Sequence, residues 1–134
     1  MLSPSWEDQI DFEKTEKELL NEALTKISNI KMPEHWKEEG VEPPNSTAMK
    51  NAHIICHGLY NSHKIIPRVV ASTKENGIYL RFEDEGKSFI IEAYNDGDIG
   101  SLVSDDIKKK TLFNEEIVDL NFDNSLKVFM DKKV

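Results

Sequence analysis

Between Ala71 and Val103 apolar and polar residues alternate in short runs, which Asn76-Gly77, Glu85-Gly86 and Asp96-Gly97 separate. Period-two alternation sends successive side chains to opposite faces of a strand, and such pairs between alternating runs are hairpin signals. If each pair is a two-residue loop, the cross-strand partners follow by counting outward. The first loop then pairs Thr73 with Leu80 and Ala71 with Phe82, the second pairs Phe82 with Phe89 and Leu80 with Ile91, and the third pairs Ile91 with Leu102. These registers agree in placing Ile78, Leu80, Phe82, Phe89, Ile91, Ala93 and Leu102 on one face. The other face receives Tyr79, Arg81, Ile90, Glu92, Tyr94, Ile99, Ser101 and Val103. A slip of one residue in any hairpin would exchange the faces of a strand, so the agreement predicts an antiparallel meander of about four strands.

Upstream the period changes to that of a helix. Leu20, Leu24 and Ile27, with Leu19, Ala23 and Ile30 on an adjoining row, predict an amphipathic helix over Asp11–Ile30, with Glu13, Lys14, Lys17, Asn21 and Glu22 opposite and Met32-Pro33 as its stop. Ser3-Pro4-Ser5 offers an earlier start, with Trp6 and Ile10 extending the stripe. A connector from His35 to Pro44 follows, in which Trp36 is read as a lid over the core. Asn45 or Ser46 caps a second helix to about Tyr60, with Ala48, Ala52, Ile55 and Leu59 as its stripe, Met49 and Cys56 beside it, and Gly58 and Asn61 weakening its end. Thr111-Leu112-Phe113 and Ile117-Val118 are further strand material. Asp123-Asn124-Ser125 caps a short last helix carrying Leu126, Phe129 and Met130, with Lys132-Lys133 near its end. The order predicts a single α+β domain over residues 1–134, two N-terminal helices packing on one face of the meander and a short helix closing the chain.

Composition narrows the class without choosing a reaction. A chain of 134 residues with 38% hydrophobic and 31% charged residues has no apolar run long enough to span a bilayer, and its first residues, Met1 to Asp8, have neither the basic start nor the apolar stretch of a secretory signal. A cytoplasmic location is the expectation. The lone Cys56 excludes an intramolecular disulfide and suits a reducing compartment. Seventeen basic against twenty-five acidic residues leave a net charge of −8, which disfavours nucleic acid and anionic membranes as partners and suits a basic protein. Lys108-Lys109-Lys110 is the densest basic run, and Asp105-Asp106 offset it.

His53 and His57 are the sharpest chemical constellation, four apart on the second helix as two imidazoles sharing a transition metal would be. Both fall away from the Ala52 and Ile55 stripe and are expected to face solvent; a third ligand would have to come from His35 or His63. Cys56 and His57 are adjacent on a helix and point about 100° apart, which does not make a dyad. Asp96 and Asp98, like Glu83 and Asp84, serve turns. No phosphate-binding glycine loop and no serine elbow is present, so the expectation is no cofactor, no metal and no catalytic residue.

The second sheet face is the candidate site, because Tyr79, Arg81, Ile90, Tyr94 and Val103 make it less polar than a solvated face. Three coverings compete: the C-terminal segment with Phe113, Phe122 and Phe129, a second copy of the chain, or another protein.

Trp36, Gly40, Pro43-Pro44, Ser46, Ala52, Pro67, Asn76-Gly77-Ile78 and Leu80 together resemble a pattern found in a family of small bacterial proteins without an assigned activity. The resemblance spans about residues 36–97 and departs from the pattern at Phe82, where tryptophan is commoner, and at Asn76-Gly77-Ile78, which replaces a double glycine. It transfers no catalytic residue. Those proteins are similar to products of mobile or defence-linked loci, which implies an antitoxin-like or immunity-like role. The expectation is a non-enzymatic protein-protein interaction module of a bacterial cytoplasm. Alternatives are a small metal-dependent enzyme using the histidines and a structural homodimer.

Overall fold

A computed structural model describes residues 14–131. The expectations placed on Ser3-Pro4-Ser5, Trp6, Ile10, Asp11 to Glu13 and Lys132-Lys133 lie outside these residues.

Helix α1, Glu16–Ser28, starts where the Thr15 hydroxyl accepts a hydrogen bond from the Glu18 amide at 3.1 Å, the usual satisfaction of a free first-turn donor. It buries Leu20, Ala23 and Ile27, the face its periodicity marks. A 3₁₀ turn over Glu34–Glu39 ends at Gly40, whose φ of 83° belongs to the left-handed region. Trp36 in this turn is half-buried and stands outside the core cluster, with the Lys74 ammonium 5.7 Å from its ring centroid. It is a surface stacking partner and not the lid expected.

Helix α2 covers Ser46–His63, and Asn45 Oδ1 accepts from the Ala48 amide at 3.0 Å. It runs one turn beyond Tyr60. Gly58 and Asn61 each cost the helix up to about 1 kcal/mol, but Leu59 is buried between them and Ser62 Oγ donates to the Gly58 carbonyl at 2.9 Å, so packing carries the helix on.

Five strands follow in chain order, β1 Val69–Thr73, β2 Gly77–Asp84, β3 Lys87–Tyr94, β4 Ile99–Asp105 and β5 Lys110–Glu116, each antiparallel to its sequence neighbour. The sheet thus has five strands where about four were expected. The fifth is the Thr111-Leu112-Phe113 segment, which bulges so that Val103 pairs with Phe113 and Ser104 with Thr111.

Only the central hairpin has the register obtained by counting. Phe82 pairs with Phe89 and Leu80 with Ile91 around Glu85 and Gly86, whose φ angles of 46° and 81° give the double left-handed turn that matches strand twist. The last loop holds one residue more. Tyr94 N donates to Asp98 O at 2.9 Å and Gly97, at φ 95°, closes a three-residue loop. Ile91 therefore faces Ser101 instead of Leu102, and the whole of β4 turns over. Ile99, Ser101 and Val103 point into the core while Leu102 moves to the other face. Val103, expected on the second face, is fully buried on the first.

In the first hairpin Thr73 pairs with Gly77 and Ala71 with Tyr79, around Lys74, Glu75 and Asn76. Asn76 takes the left-handed position at φ 62°. The offset from the counted register is again odd, so Val70 faces inward beside Leu80 and packs against the core.

The three α-helices of the described residues all lie on the inner face. α1 packs against β1 and α2, α2 covers β2 and β3, and α3, Asp123–Phe129, covers β3, β4 and β5. Phe89 is the hub, with ring centroids 5.6 Å from Phe82, 5.5 Å from Phe129 and 6.2 Å from Phe122. Lys87 Nζ reaches the Val128 carbonyl at 3.1 Å and holds α3 down. Phe122 and Phe129, candidates for covering the second face, are thus committed to the first, and Phe113 faces Val103 there too. Among the described residues no helix is long and apolar enough to cross a membrane.

Candidate functional site: the outer face of the sheet

The registers assemble the outer face in two cross-strand rows. Val69, Arg81, Ile90, Leu102 and Asn114 form one; Ala71, Tyr79, Glu92, Gly100 and Glu116 form the next, and Tyr94 stands beyond it on β3. Tyr79, Arg81, Ile90, Glu92, Tyr94 and Leu102 are each half-buried, and since none of the described helices covers this face, among the described residues they shield one another. Four expected site residues, Tyr79, Arg81, Ile90 and Tyr94, are brought together. Leu102 takes the aliphatic place assigned to Val103.

Arg81 is anchored by a network that needed the fold to appear. Its Nε donates to Ser88 Oγ at 3.0 Å, the Ser88 hydroxyl donates to Asp106, Ser104 Oγ donates to Asp106 Oδ1 at 3.0 Å, and Arg81 Nη2 lies 3.5 Å from Asp106 Oδ2. The bond from Ser88, with help from Ser104 and Arg81 and against partial burial, holds the Asp106 carboxyl below its ordinary value. Ser88 is buried and both donates and accepts. Its partners are a guanidinium and a carboxylate whose lowered pKa makes it a weak base. The arrangement fixes a cation on a surface. Sequence reasoning treated Asp106 as a counter-charge to the lysine run; only the β3–β4 pairing, Ser88 with Ser104, brings it to Arg81.

Tyr94 is the second polar anchor. Its hydroxyl donates to Glu92 Oε2 at 2.8 Å. Partial burial, then Glu92 and Glu75, push the phenol well above its usual value. It stays a neutral ring in a negative neighbourhood.

The remaining chemistry is scattered. His53 is half-buried, with Nε2 2.9 Å from Ser28 Oγ at the end of α1, and so does not face solvent freely; His57 is exposed, and His63 Nδ1 lies 2.6 Å from Ser62 Oγ. His35 stands exposed beside Trp36 in the 3₁₀ turn. Among the described residues no group of three or more histidine, cysteine or acidic side chains could hold a metal ion. On the inner side, Ser101 Oγ lies 2.6 Å from Ser125 Oγ, which donates to Glu115 Oε2 at 2.6 Å, tying α3 to β4 and β5. An apolar cleft of about 240 Å³ runs between α2 and the approach to α3, lined by Ile54, Gly58, Leu120 and Leu126 among others.

Cys56 is buried in α2, and burial pushes its thiol up to about 11 from an ordinary 9.0. Between those values the unfolded chain loses a proton that the folded chain keeps, so stability present below pH 9 falls as pH rises towards 11. Two units correspond to roughly 2–3 kcal/mol. Urea unfolding of wild type and Cys56→Ala at pH 8 and pH 11 is expected to show that much extra loss in the wild type; equal losses in the two proteins would contradict it.

No protein-family model matches the chain, and no curated protein and no solved structure matches it. The fold and the site define its class from within: an α+β arrangement with the described helices on one side of a five-stranded meander and a mixed aromatic, aliphatic and charged face on the other.

Proposed function

We propose that this protein is a non-enzymatic protein-binding module that docks a basic protein partner on the outer sheet face, with an antitoxin-like or immunity-like role in a bacterial cytoplasm. The observation that carries the reading is the composition of that face. Tyr79, Ile90, Tyr94 and Leu102 lie together on the side of the sheet opposite all three described helices, and Arg81 is held in place among them. Tyrosine, arginine and aliphatic side chains in one patch are the residues that interface centres favour. The charge of −8 would speed encounter with a basic partner. Serving as that surface requires neither a metal nor a nucleophile.

The test is capture from a native lysate by the wild-type chain and by Arg81→Ala/Tyr94→Ala, with mass spectrometry of what is retained. A stoichiometric basic partner is expected on the wild type and a loss of about tenfold or more on the double variant, the order that interface anchors typically command. Circular dichroism must show the variant folded. Equal retention by both chains would remove the proposal, and a concentration-dependent mass without a foreign partner would replace it with self-association.

A further inference from the structure

The row Glu92, Gly100, Glu116 has an unusual consequence. Gly100 pairs with Glu92 on one side and with Glu116 on the other, so two carboxylates flank a position without a side chain, each about 4.8 Å away in backbone spacing. A hollow of about 340 Å³ opens there, walled by Ile90, Leu102, Asn114 and the Tyr94 ring. No lysine or arginine lines it. A Cβ built on Gly100 would touch only the Tyr94 ring, at 3.9 and 4.0 Å, so the glycine is not demanded by crowding, and its φ lies outside the left-handed range. On the other side of Tyr94 a second hollow is lined by Glu42, Glu75 and Asp96, again without a cationic side chain. The phenol ring therefore stands between carboxylates on both sides.

Resting on the reading of this face as a docking surface, we infer that the Gly100 hollow receives an arginine side chain of the basic protein partner, its guanidinium lying along Tyr94 and reaching the Glu92 and Glu116 carboxylates. The chemistry selects arginine. A planar guanidinium stacks on a phenol ring and presents donors along more than one edge, so one group serves two carboxylates on opposite sides, whereas an ammonium is a single point charge on a strongly hydrated head. The aliphatic stem would lie against Ile90 and Leu102, as long cationic side chains do on apolar surface. Glu92 is already oriented, because Oε2 accepts the Tyr94 hydroxyl, and its other oxygen is the natural acceptor for the incoming group.

The test is a ¹⁵N-resolved titration of the full chain with acetyl-Gly-Arg-Gly-amide, against the lysine and citrulline counterparts and free arginine. Saturable shifts confined to Glu92, Tyr94, Gly100, Leu102 and Glu116 are expected with the arginine peptide, weaker by about fivefold or more with lysine and absent with the neutral citrulline. The peptide should bind more tightly than free arginine, whose own carboxylate faces the two glutamates. Gly100→Val, which puts a branched side chain into the hollow between the two glutamates, and Glu92→Gln/Glu116→Gln, which keeps its shape, should each weaken the arginine peptide by about tenfold. Shifts scattered over the acidic surface, lysine binding as well as arginine, or unchanged affinity in both variants would overturn the inference. A partner that is lost on Arg81→Ala/Tyr94→Ala yet binds Gly100→Val and Glu92→Gln/Glu116→Gln normally would leave the docking surface standing and remove the arginine alone; a partner indifferent to all of these would remove both.

Discussion

Phe89→Ala is expected to lower the free energy of unfolding by about 3–5 kcal/mol, the range for emptying a phenylalanine site in a closed core. Phe89 is fully buried, and it touches three rings: Phe82 on β2, and Phe122 and Phe129 at the two ends of α3. All three are themselves buried in the core. The loss is a large part of the whole stability of a domain this size, which is about 5–15 kcal/mol, and should appear in a thermal scan as a drop in Tm of about 10–20 °C. The next residue in sequence supplies the control. Ile90 points to the outer face and is half-buried, so Ile90→Ala should cost about 1 kcal/mol. Equal losses at 89 and 90 would mean that the faces of β3 are wrongly assigned.

The second large effect is predicted at Gly77, the first residue of β2. A Cβ there would lie 2.6 Å from the Ala93 carbonyl oxygen and 3.0 Å from Tyr94 Cα. Both are backbone atoms of the adjacent strand, so no side-chain rotation relieves the contact. Gly77→Ala should push β2 from β3 and cost about 2–4 kcal/mol, the range of overpacking and strain combined. The turn it would disturb is tied twice to other parts of the chain: Asn95 N donates to Asn76 O at 2.8 Å, and Glu42 N donates to Asn76 Oδ1 at 2.8 Å. Gly58→Ala is the opposite case. It sits in the exposed part of α2 with nothing within 4 Å of a new Cβ, and should gain about 0.5–1 kcal/mol from helix propensity. Chemical denaturation of the two variants side by side checks both signs.

These glycines also show what could and could not be read beforehand. The helices were legible by their stripes, Leu20, Ala23 and Ile27 along α1 and Ala48, Ala52, Ile55 and Leu59 along α2, but only α2 by its start, at Asn45. α1 is capped by Thr15, and α3 begins after Phe122 without a side-chain cap, with Asp123 to Ser125 inside the helix instead of capping it. The central hairpin was legible because Glu85-Gly86 really is the whole loop. At Asn76-Gly77 and Asp96-Gly97 the same kind of pair marks only the end of a longer loop. In the first, Asn76 takes the left-handed position and Gly77 already belongs to the strand; in the last, Gly97 takes it. Dipeptide chemistry names a residue that tolerates positive φ but does not count the residues before it. The pattern of β4 could not correct the error, since Ile99, Leu102 and Val103 offer an aliphatic group to either face. Hence Val103 was assigned outward and Leu102 inward, the reverse of their places. Tyr79, Arg81, Ile90 and Tyr94 were placed correctly because they lie on β2 and β3, whose mutual register held. The Arg81–Ser88–Asp106 network, the hollow at Gly100 and the covering of the inner face by Phe122 and Phe129 all depend on strands meeting across turns, which no local period encodes.

Each strand pairs only with the strand before or after it in the chain. Sheets are usually slow to form because distant segments must find one another before any contact rewards the search. Here the three hairpins joining β1 to β4 close loops of two or three residues, and the entropy of closing so short a loop is small. The sheet can therefore zip outward from the Glu85-Gly86 turn, one neighbour at a time, and on a ribosome it can do so in the order in which the strands emerge. α1 and α2 leave first and wait with their apolar stripes uncovered until β2 and β3 arrive. The interval of exposure is set by the speed of translation from His63 to Tyr94, the ends of α2 and β3, and not by a conformational search.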